Sequence, residues 1–255
     1  MSDAQQVPLI ERIMRRVVAA IGVLVLLALL AALGVALWAS NAMRGERAEA
    51  IEAWRNPAIS IESTDHSIVM TPTEGANGSG LVFVPGARVD PYAYLYKLSG
   101  IVEQGVTVVI TKPLLNLALI DTRGADVFTA DAPEVERWLV GGHSMGGVRA
   151  CLMAEGADVA GLVLLGAYCA NDLSGTRLDV LSISGSEDGL TTADDIAANA
   201  HSLPSDADLV EIEGLNHALF GDYGPQEGDR PATIDTEEAR TAITDVLRSV
   251  FVAVR

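Results

Sequence analysis

The feature that most constrains the fold is a glycine-flanked serine between a strand pattern and a helix pattern. Residues 142–146 read Gly-His-Ser-Met-Gly, and Gly147 follows. The stretch 135–140 predicts a strand that ends in Trp-Leu-Val, and the spacing over 145–154 predicts a helix. A serine at so sharp a turn has strained backbone angles and close neighbours, so glycines must flank it. The hydroxyl of Ser144 then lies at a helix N-terminus, where the helix dipole favours developing negative charge.

Short apolar runs alternate with helical patterns along the rest of the chain. The strand patterns, most of them apolar, are 81–84, 106–110, 135–140, 162–165, 180–183 and 209–212. The helical patterns are 91–104, 123–129, 145–154, 192–200 and 237–252. A hairpin pattern over 59–62 and 67–71 precedes them. Near-continuous apolar strands that alternate with helices indicate an α/β fold, with a mostly parallel central sheet and helices on both faces.

The N-terminal region predicts a membrane-spanning helix, because residues 17–39 contain no charged side chain. A spanning helix needs about 20 apolar residues, whereas the apolar part of a cleaved signal has about 7–15. The predicted boundaries are a tail at 1–16, a transmembrane helix at 17–39, a linker at 40–57 and one folded domain at 58–255. Cleavage of a signal near the small residues at 40–42 remains the alternative.

The orientation of this helix depends on the arginines beside it. Three precede the span and two follow it: Arg12, Arg15 and Arg16, then Arg44 and Arg47. Positive charge accumulates on the cytoplasmic side of membrane proteins. The bias predicts a cytoplasmic tail and a folded domain on the outer side of the cell membrane, or a secreted domain if the signal is cleaved.

The turn at Ser144, in its strand-and-helix setting, resembles the nucleophile elbow of the α/β-hydrolase fold family. The resemblance covers most of the folded domain. It is closest to small members without a lid, such as the dienelactone-hydrolase-like group, because the segment between 165 and 180 is short. That group often has a cysteine nucleophile where this chain has serine, so its particular reaction is not implied. The resemblance implies a serine nucleophile followed along the chain by an acid and then a histidine.

A serine hydroxyl is a weak nucleophile at neutral pH and needs an adjacent base. The family order implies that this base is His217, which follows the run 209–212. Two other histidines are weaker candidates. His201 is expected at a helix end, and His143 is expected to pack or bond beside the serine.

The acid of the site is expected at the end of the preceding strand. Residues 185–188 read Gly-Ser-Glu-Asp and resemble the family's Gly-x-x-Asp segment, which implies Asp188. Its carboxylate would hold the imidazole in one tautomer and stabilise the imidazolium. Glu187 and Asp172 are the alternatives.

A tetrahedral intermediate needs two backbone amides for its oxyanion. One is expected from Met145, the residue after the nucleophile. The other is expected from the loop after the run 81–84, where many relatives carry a His-Gly pair. This chain keeps Gly86 and lacks the histidine, so Ala87 is the preferred donor and Arg88 the alternative.

Composition excludes several other classes of protein. The formal charge is −17, from 34 acids against 17 bases, and such a surface repels nucleic acid. The four histidines show no metal-ligand spacing, so neither a metal nor another cofactor is expected. Cys151 is expected about 10 Å below the serine turn and Cys169 near the upper rim, which is too far for a disulfide. Both cysteines are therefore predicted to be buried thiols, with a disulfide between them in a domain outside the cell as the alternative.

Together these features predict a membrane-anchored serine hydrolase that cleaves carboxylic esters, or thioesters, through an acyl-enzyme. The expected substrate is a small or lipid-like acyl compound. An acyltransferase with the same site and a non-catalytic binding module on the same scaffold are the alternatives. The acid-rich loop 221–230 is expected either to border the substrate opening or to be a solvated surface loop. The oligomeric state is not predicted.

Overall fold

The computed structural model describes residues 9–252, so the predicted tail at 1–16 lies partly outside the described residues. The described chain consists of two compact units that divide between Asn41 and Ala42. The first unit contains helix α1, Leu9–Ser40. An 18-residue stretch within Leu9–Ala39 has a mean hydropathy of 2.9, and the helix is long and apolar enough to cross a membrane.

The larger unit contains one eight-stranded sheet. The strands are β1 Ile59–Ser63, β2 Ser67–Pro72, β3 Ser79–Val84, β4 Thr107–Thr111, β5 Arg137–His143, β6 Gly161–Leu165, β7 Asp179–Gly185 and β8 Asp208–Ile212. Their order is β1-β2-β4-β3-β5-β6-β7-β8. β2 pairs antiparallel with both β1 and β4, and every other neighbouring pair is parallel. The predicted mostly parallel α/β sheet is confirmed.

Helices cover both faces of this sheet. They are α2 Arg47–Arg55, α3 Leu95–Val102, α4 Ala125–Thr129, α5 Met145–Glu155, α6 Ala193–Asn199 and α7 Thr236–Val252. Residues of α2, α3 and α7 share one apolar cluster with the sheet. Residues of α4 and α5 share the other cluster.

The inner strands β3, β4 and β6 are mostly apolar because both of their faces are buried. In β3, Leu81 and Phe83 belong to the cluster on one face, and Val82 and Val84 belong to the cluster on the other. Successive side chains of a strand point to opposite faces, so a strand between two helical layers needs apolar residues at every position. The carboxyl ends of these parallel strands lie at one edge of the sheet, where the candidate site is found.

The segment before the sheet contributes to the larger unit. The sequence predicted a linker at 40–57, whereas helix α2 lies there and Ala53 is buried in the apolar core. Met43 forms a backbone bridge with Val89, and the amide of Glu46 donates to the carbonyl of Asp222 at 2.6 Å. The larger unit therefore begins at Ala42 rather than near residue 58.

Candidate active site

Ser144 occupies the turn between β5 and α5 in a strained conformation. Its φ is 54° and its ψ is −125°, a region that residues with a side chain rarely adopt. Glycines make the turn possible. A Cβ at Gly142 would collide with the backbone of Gly146, and a Cβ at Gly146 would collide with the carbonyl oxygen of Val84. The backbone thus holds the serine at the carboxyl edge of the sheet, at the N-terminus of α5.

The structure brings Asp188 and His217 together. Oδ2 of Asp188 lies 2.8 Å from Nδ1 of His217, and both side chains are almost completely buried. The other carboxylate oxygen of Asp188 accepts hydrogen bonds from the amides of Leu190 and Thr191 at 2.8 and 2.7 Å. These bonds leave Oδ2 directed at the imidazole. The alternative acid Asp172 is exposed and lies elsewhere.

The serine turn and the Asp–His pair meet at Gly166. The amide of Ser144 donates to the carbonyl of Leu165 at 3.0 Å, and Gly166 follows with a φ of 50°. A Cβ at Gly166 would lie 2.9 Å from Oδ2 of Asp188 and 3.2 Å from Nδ1 of His217. Within residues 9–252, the Ser144 hydroxyl and the His217 ring make no direct hydrogen bond. Such bonds are often long in unliganded enzymes and tighten when substrate binds.

The alternative base His201 takes no part in this arrangement. It is exposed in a short 3-10 turn after α6, and its Nδ1 lies 3.0 Å from the carbonyl oxygen of Ala198. Of the three candidate histidines, His217 is the one that is hydrogen-bonded to Asp188 among the described residues.

The loop after β3 presents one free amide beside the serine turn. The amide of Arg88 donates to the carbonyl of Asn116 at 2.7 Å, and that of Gly86 donates to the hydroxyl of Tyr94 at 2.9 Å. The amide of Ala87 between them has no acceptor among the described residues. Met145 is the first residue of α5, and the first amides of a helix have no acceptor within the helix. Of the two sequence candidates in this loop, Ala87 is thus the one whose amide is available.

His143 is bonded to a residue that the sequence did not single out. Its Nδ1 is hydrogen-bonded to the Tyr94 hydroxyl at 2.9 Å, and the same hydroxyl accepts the Gly86 amide. Burial, and then the neighbouring His217, hold the pKa of His143 well below its usual value. The two histidine rings lie 4.4 Å apart, centroid to centroid. His143 is therefore a neutral ring between the loop after β3 and His217.

Asp229, in the loop 221–230, connects the segments that carry Asp188 and His217. Its two oxygens accept the amides of Gly189 at 3.0 Å and Ala218 at 2.8 Å. Gly189 follows Asp188, and Ala218 follows His217. Sequence reasoning identified this loop by its acidity but did not find this role.

A buried ion pair fixes the start of the same loop. Asp222 pairs with Lys97 of α3, and the Thr236 hydroxyl bonds both side chains. Burial raises the pKa of the Asp222 carboxyl and lowers that of the Lys97 amine, while the attraction between the two opposes both shifts. The start of the loop is thus anchored to α3 and α7 by the buried side chain of Asp222 and is not a solvated surface segment.

Cys151 and Cys169 form a disulfide, with Cα atoms 5.6 Å apart, so the expectation of two free thiols is wrong. The segment after β6 does not stay at the rim but turns back along α5. Ala167 packs against Gly147, where a Cβ would collide with it. The extended chain from Ala167 to Cys169 and the helix from Gly147 to Cys151 each advance about 6–7 Å from this contact. The two sulfurs therefore arrive at the same level.

Comparison with known proteins identifies the fold. A model of the alpha/beta hydrolase family matches residues 80–241. No curated protein has a significantly similar sequence.

Several solved structures resemble the chain at low sequence identity. A predicted CIB-like hydrolase from Thermoplasma acidophilum has 15% identity and a TM-score of 0.54, over 75% of this chain and 99% of that one. A hormone-sensitive lipase from a metagenome library has 15% identity and a TM-score of 0.56, over 81% and 90%. The esterase domain of a Rhodothermus marinus protein has 14% identity and a TM-score of 0.55, over 75% and 97%. At these identities the likeness establishes the fold alone.

Proposed function

Because this chain belongs to the alpha/beta hydrolase family, we propose that it is a membrane-anchored serine hydrolase that cleaves carboxylic esters through an acyl-enzyme. The observation that carries the proposal is the buried hydrogen bond between Asp188 and His217, which lies beside the strained turn of Ser144. A buried carboxylate–imidazole pair next to a serine at a helix N-terminus is the arrangement that activates a hydroxyl.

The proposed reaction has two steps. His217 takes the proton of the Ser144 hydroxyl as its oxygen attacks the ester carbonyl, and the same ring then protonates the departing alcohol. Water, activated by the same ring, attacks the acyl-serine, and the acid leaves as the serine regains its proton. Asp188 keeps the Nδ1 proton of the ring in place and stabilises the imidazolium throughout.

The oxyanion of each tetrahedral intermediate is assigned to the amides of Met145 and Ala87. Both amides are unused by the described residues, and both lie beside the nucleophile. Backbone donors of this kind are fixed before the reaction starts and need no rearrangement when charge develops.

Two observations support a location on the outer side of the membrane. Helix α1 is long and apolar enough to act as an anchor. The disulfide between Cys151 and Cys169 is typical of oxidising compartments and rare in the cytosol. Both agree with the arginine bias that favours a cytoplasmic tail. A signal cleaved near residues 40–42 would give the secreted form of the same domain.

The substrate is proposed to be a small or lipid-like acyl ester, with thioesters as a second class. The segment 166–178 between β6 and β7 contains no helix in the described chain, so no lid is inserted there. The names of the solved neighbours, which include an esterase and a lipase, support an ester substrate.

Labelling with a fluorophosphonate probe tests the nucleophile. We expect the wild-type chain and a Ser205→Ala control, which changes an exposed serine far along the chain, to be labelled and to hydrolyse short-chain p-nitrophenyl esters. Ser144→Ala should lose both activities. An unlabelled wild type, beside a control hydrolase that is labelled, would favour a non-catalytic binding module. Acyl transfer to added alcohols in preference to water would instead indicate an acyltransferase.

A further inference from the structure

The loop after β4 exposes four aliphatic side chains, here called the apolar ridge: Leu114, Leu115, Leu119 and Ile120. Leu114 keeps 64% of its surface exposed and Leu119 keeps 45%. Single exposed apolar residues are common on soluble domains, whereas a contiguous patch marks a surface that binds something. Four exposed aliphatic side chains within seven residues therefore indicate a surface that binds a partner.

The backbone holds the ridge in an outward conformation. Leu115 and Asn116 both have positive φ values, 56° and 55°, which a bulky residue such as leucine rarely adopts. The carbonyl of Asn116 accepts the Arg88 amide, and Ala118 is buried in the core beside α5. The exposed leucines are thus presented by a segment that is fixed at both of these points.

The ridge lies next to the proposed reacting centre. Arg88, which bonds the ridge segment, directly follows the proposed oxyanion donor Ala87. On the other side, Arg149 of α5 donates to the carbonyl of Asp121 at 2.7 Å, and α5 begins immediately after Ser144. Any surface that binds the ridge therefore also lies near the loop that carries Ala87 and near α5.

The charges around the ridge differ from those of the chain as a whole. Within 112–123 and the charged residues hydrogen-bonded to it, there are four bases and one acid: Arg88, Lys112, Arg123, Arg149 and Asp121. The whole chain has twice as many acids as bases, 34 against 17. Arg123 is paired with Asp121, which leaves Arg88, Lys112 and Arg149 as a partly exposed excess of bases beside the apolar tip. Such a combination matches a bilayer, because the tip enters the acyl region while the bases meet anionic headgroups.

We propose that the apolar ridge inserts into a bilayer that contains anionic lipids, so that the site opens onto the membrane and takes amphipathic lipid esters from it. This inference rests on the proposed membrane anchor and the proposed ester hydrolysis. It narrows the substrate class from acyl esters in general to esters that reside in the bilayer.

An environment-sensitive fluorophore tests the insertion directly in the full chain. The label is attached at Leu119→Cys, with Leu209→Cys as the matched control, because both leucines are 45% exposed and Leu209 lies on the edge strand β8. The two native cysteines are joined to each other and do not react. The chain is reconstituted in nanodiscs of phosphatidylcholine and phosphatidylglycerol with acyl-chain quenchers. We expect a shift to shorter wavelength and quenching at 119 and neither at 209. Equal quenching at both positions, or a water-like spectrum at 119, overturns the proposal.

Kinetics separate this inference from the proposed function. The measured quantity is the rate on a nanodisc-embedded lipid ester divided by the rate on a water-soluble short-chain ester. We expect this ratio to fall about tenfold in Leu119→Ser/Ile120→Ser, since two aliphatic groups no longer enter the bilayer, and to stay at the wild-type value in Leu209→Ser. An unchanged ratio in the ridge variant contradicts the inference while leaving ester hydrolysis intact. If the wild type hydrolyses neither ester, the proposed function fails, and the fluorescence result still decides whether the ridge inserts.

Discussion

Removing the disulfide between Cys151 and Cys169 should destabilise the larger unit by a free energy that depends on the length of the chain segment that the disulfide closes. The two residues are 18 positions apart. Closing a loop of this length reduces the entropy of the unfolded chain enough to stabilise the fold by about 3 kcal/mol. For a unit of this size, that free energy corresponds to a fall in Tm of roughly 6–12 °C.

The measurement is thermal unfolding of the full chain in detergent, followed by circular dichroism with and without reductant. We expect reductant to lower the Tm of the wild type but not that of the Cys151→Ala/Cys169→Ala variant, which should already unfold at the lower temperature. Thiol titration confirms that the bond has been cleaved. If two thiols are titrated after reduction and the Tm has not moved, the entropic argument is refuted. If two free thiols are found in the protein purified without reductant, the disulfide itself is absent.

Three further changes test the site. Asp188→Asn leaves His217 beside an amide, and kcat for a soluble ester should fall roughly 10⁴-fold; a loss below tenfold contradicts the assigned role. Tyr94→Phe removes a hydroxyl that bonds a buried amide and His143, so the free energy of unfolding in urea should drop by about 1–3 kcal/mol; unchanged stability argues against this bond. Because the pKa of His143 is held below its usual 6.5, the unfolded chain binds this proton first on acidification. The contribution of His143 to the free energy of unfolding should be fully present above about pH 6.5 and should be lost as the pH falls below it. The free energy of unfolding should therefore fall less steeply with decreasing pH in His143→Gln than in the wild type; equal slopes would refute the buried neutral ring.

The fold could be predicted because its signals are local. The run 106–110 is apolar except for one threonine, and β4 is observed at Thr107–Thr111. A strand buried on both faces must have such a sequence, wherever the rest of the chain goes. The hairpin of β1 and β2 also has a local signal, because two extended runs are separated by a polar turn.

Features that depend on the path of loops could not be predicted. Helical rise located Cys151 correctly along α5, but nothing local indicates that the segment after β6 turns back to bring Cys169 beside it. The amide of Arg88 is occupied by the carbonyl of Asn116, which lies on the loop after a different strand. The bond between Tyr94 and His143 joins residues 49 positions apart. Such contacts are set by tertiary packing and leave no periodic pattern in the sequence.

Asp229 accepts backbone hydrogen bonds from Gly189 and Ala218, and these limit how the substrate specificity of this protein can be engineered. One carboxylate holds the backbones beside both Asp188 and His217, so a graft or an insertion in 221–230 would disturb the spacing of the proposed acid and the proposed base together. The exposed side chains of 114–120 make no such hydrogen bonds to the backbones beside Asp188 and His217 in the described chain. Libraries that aim to change substrate range should therefore vary that segment first and keep Asp229 constant.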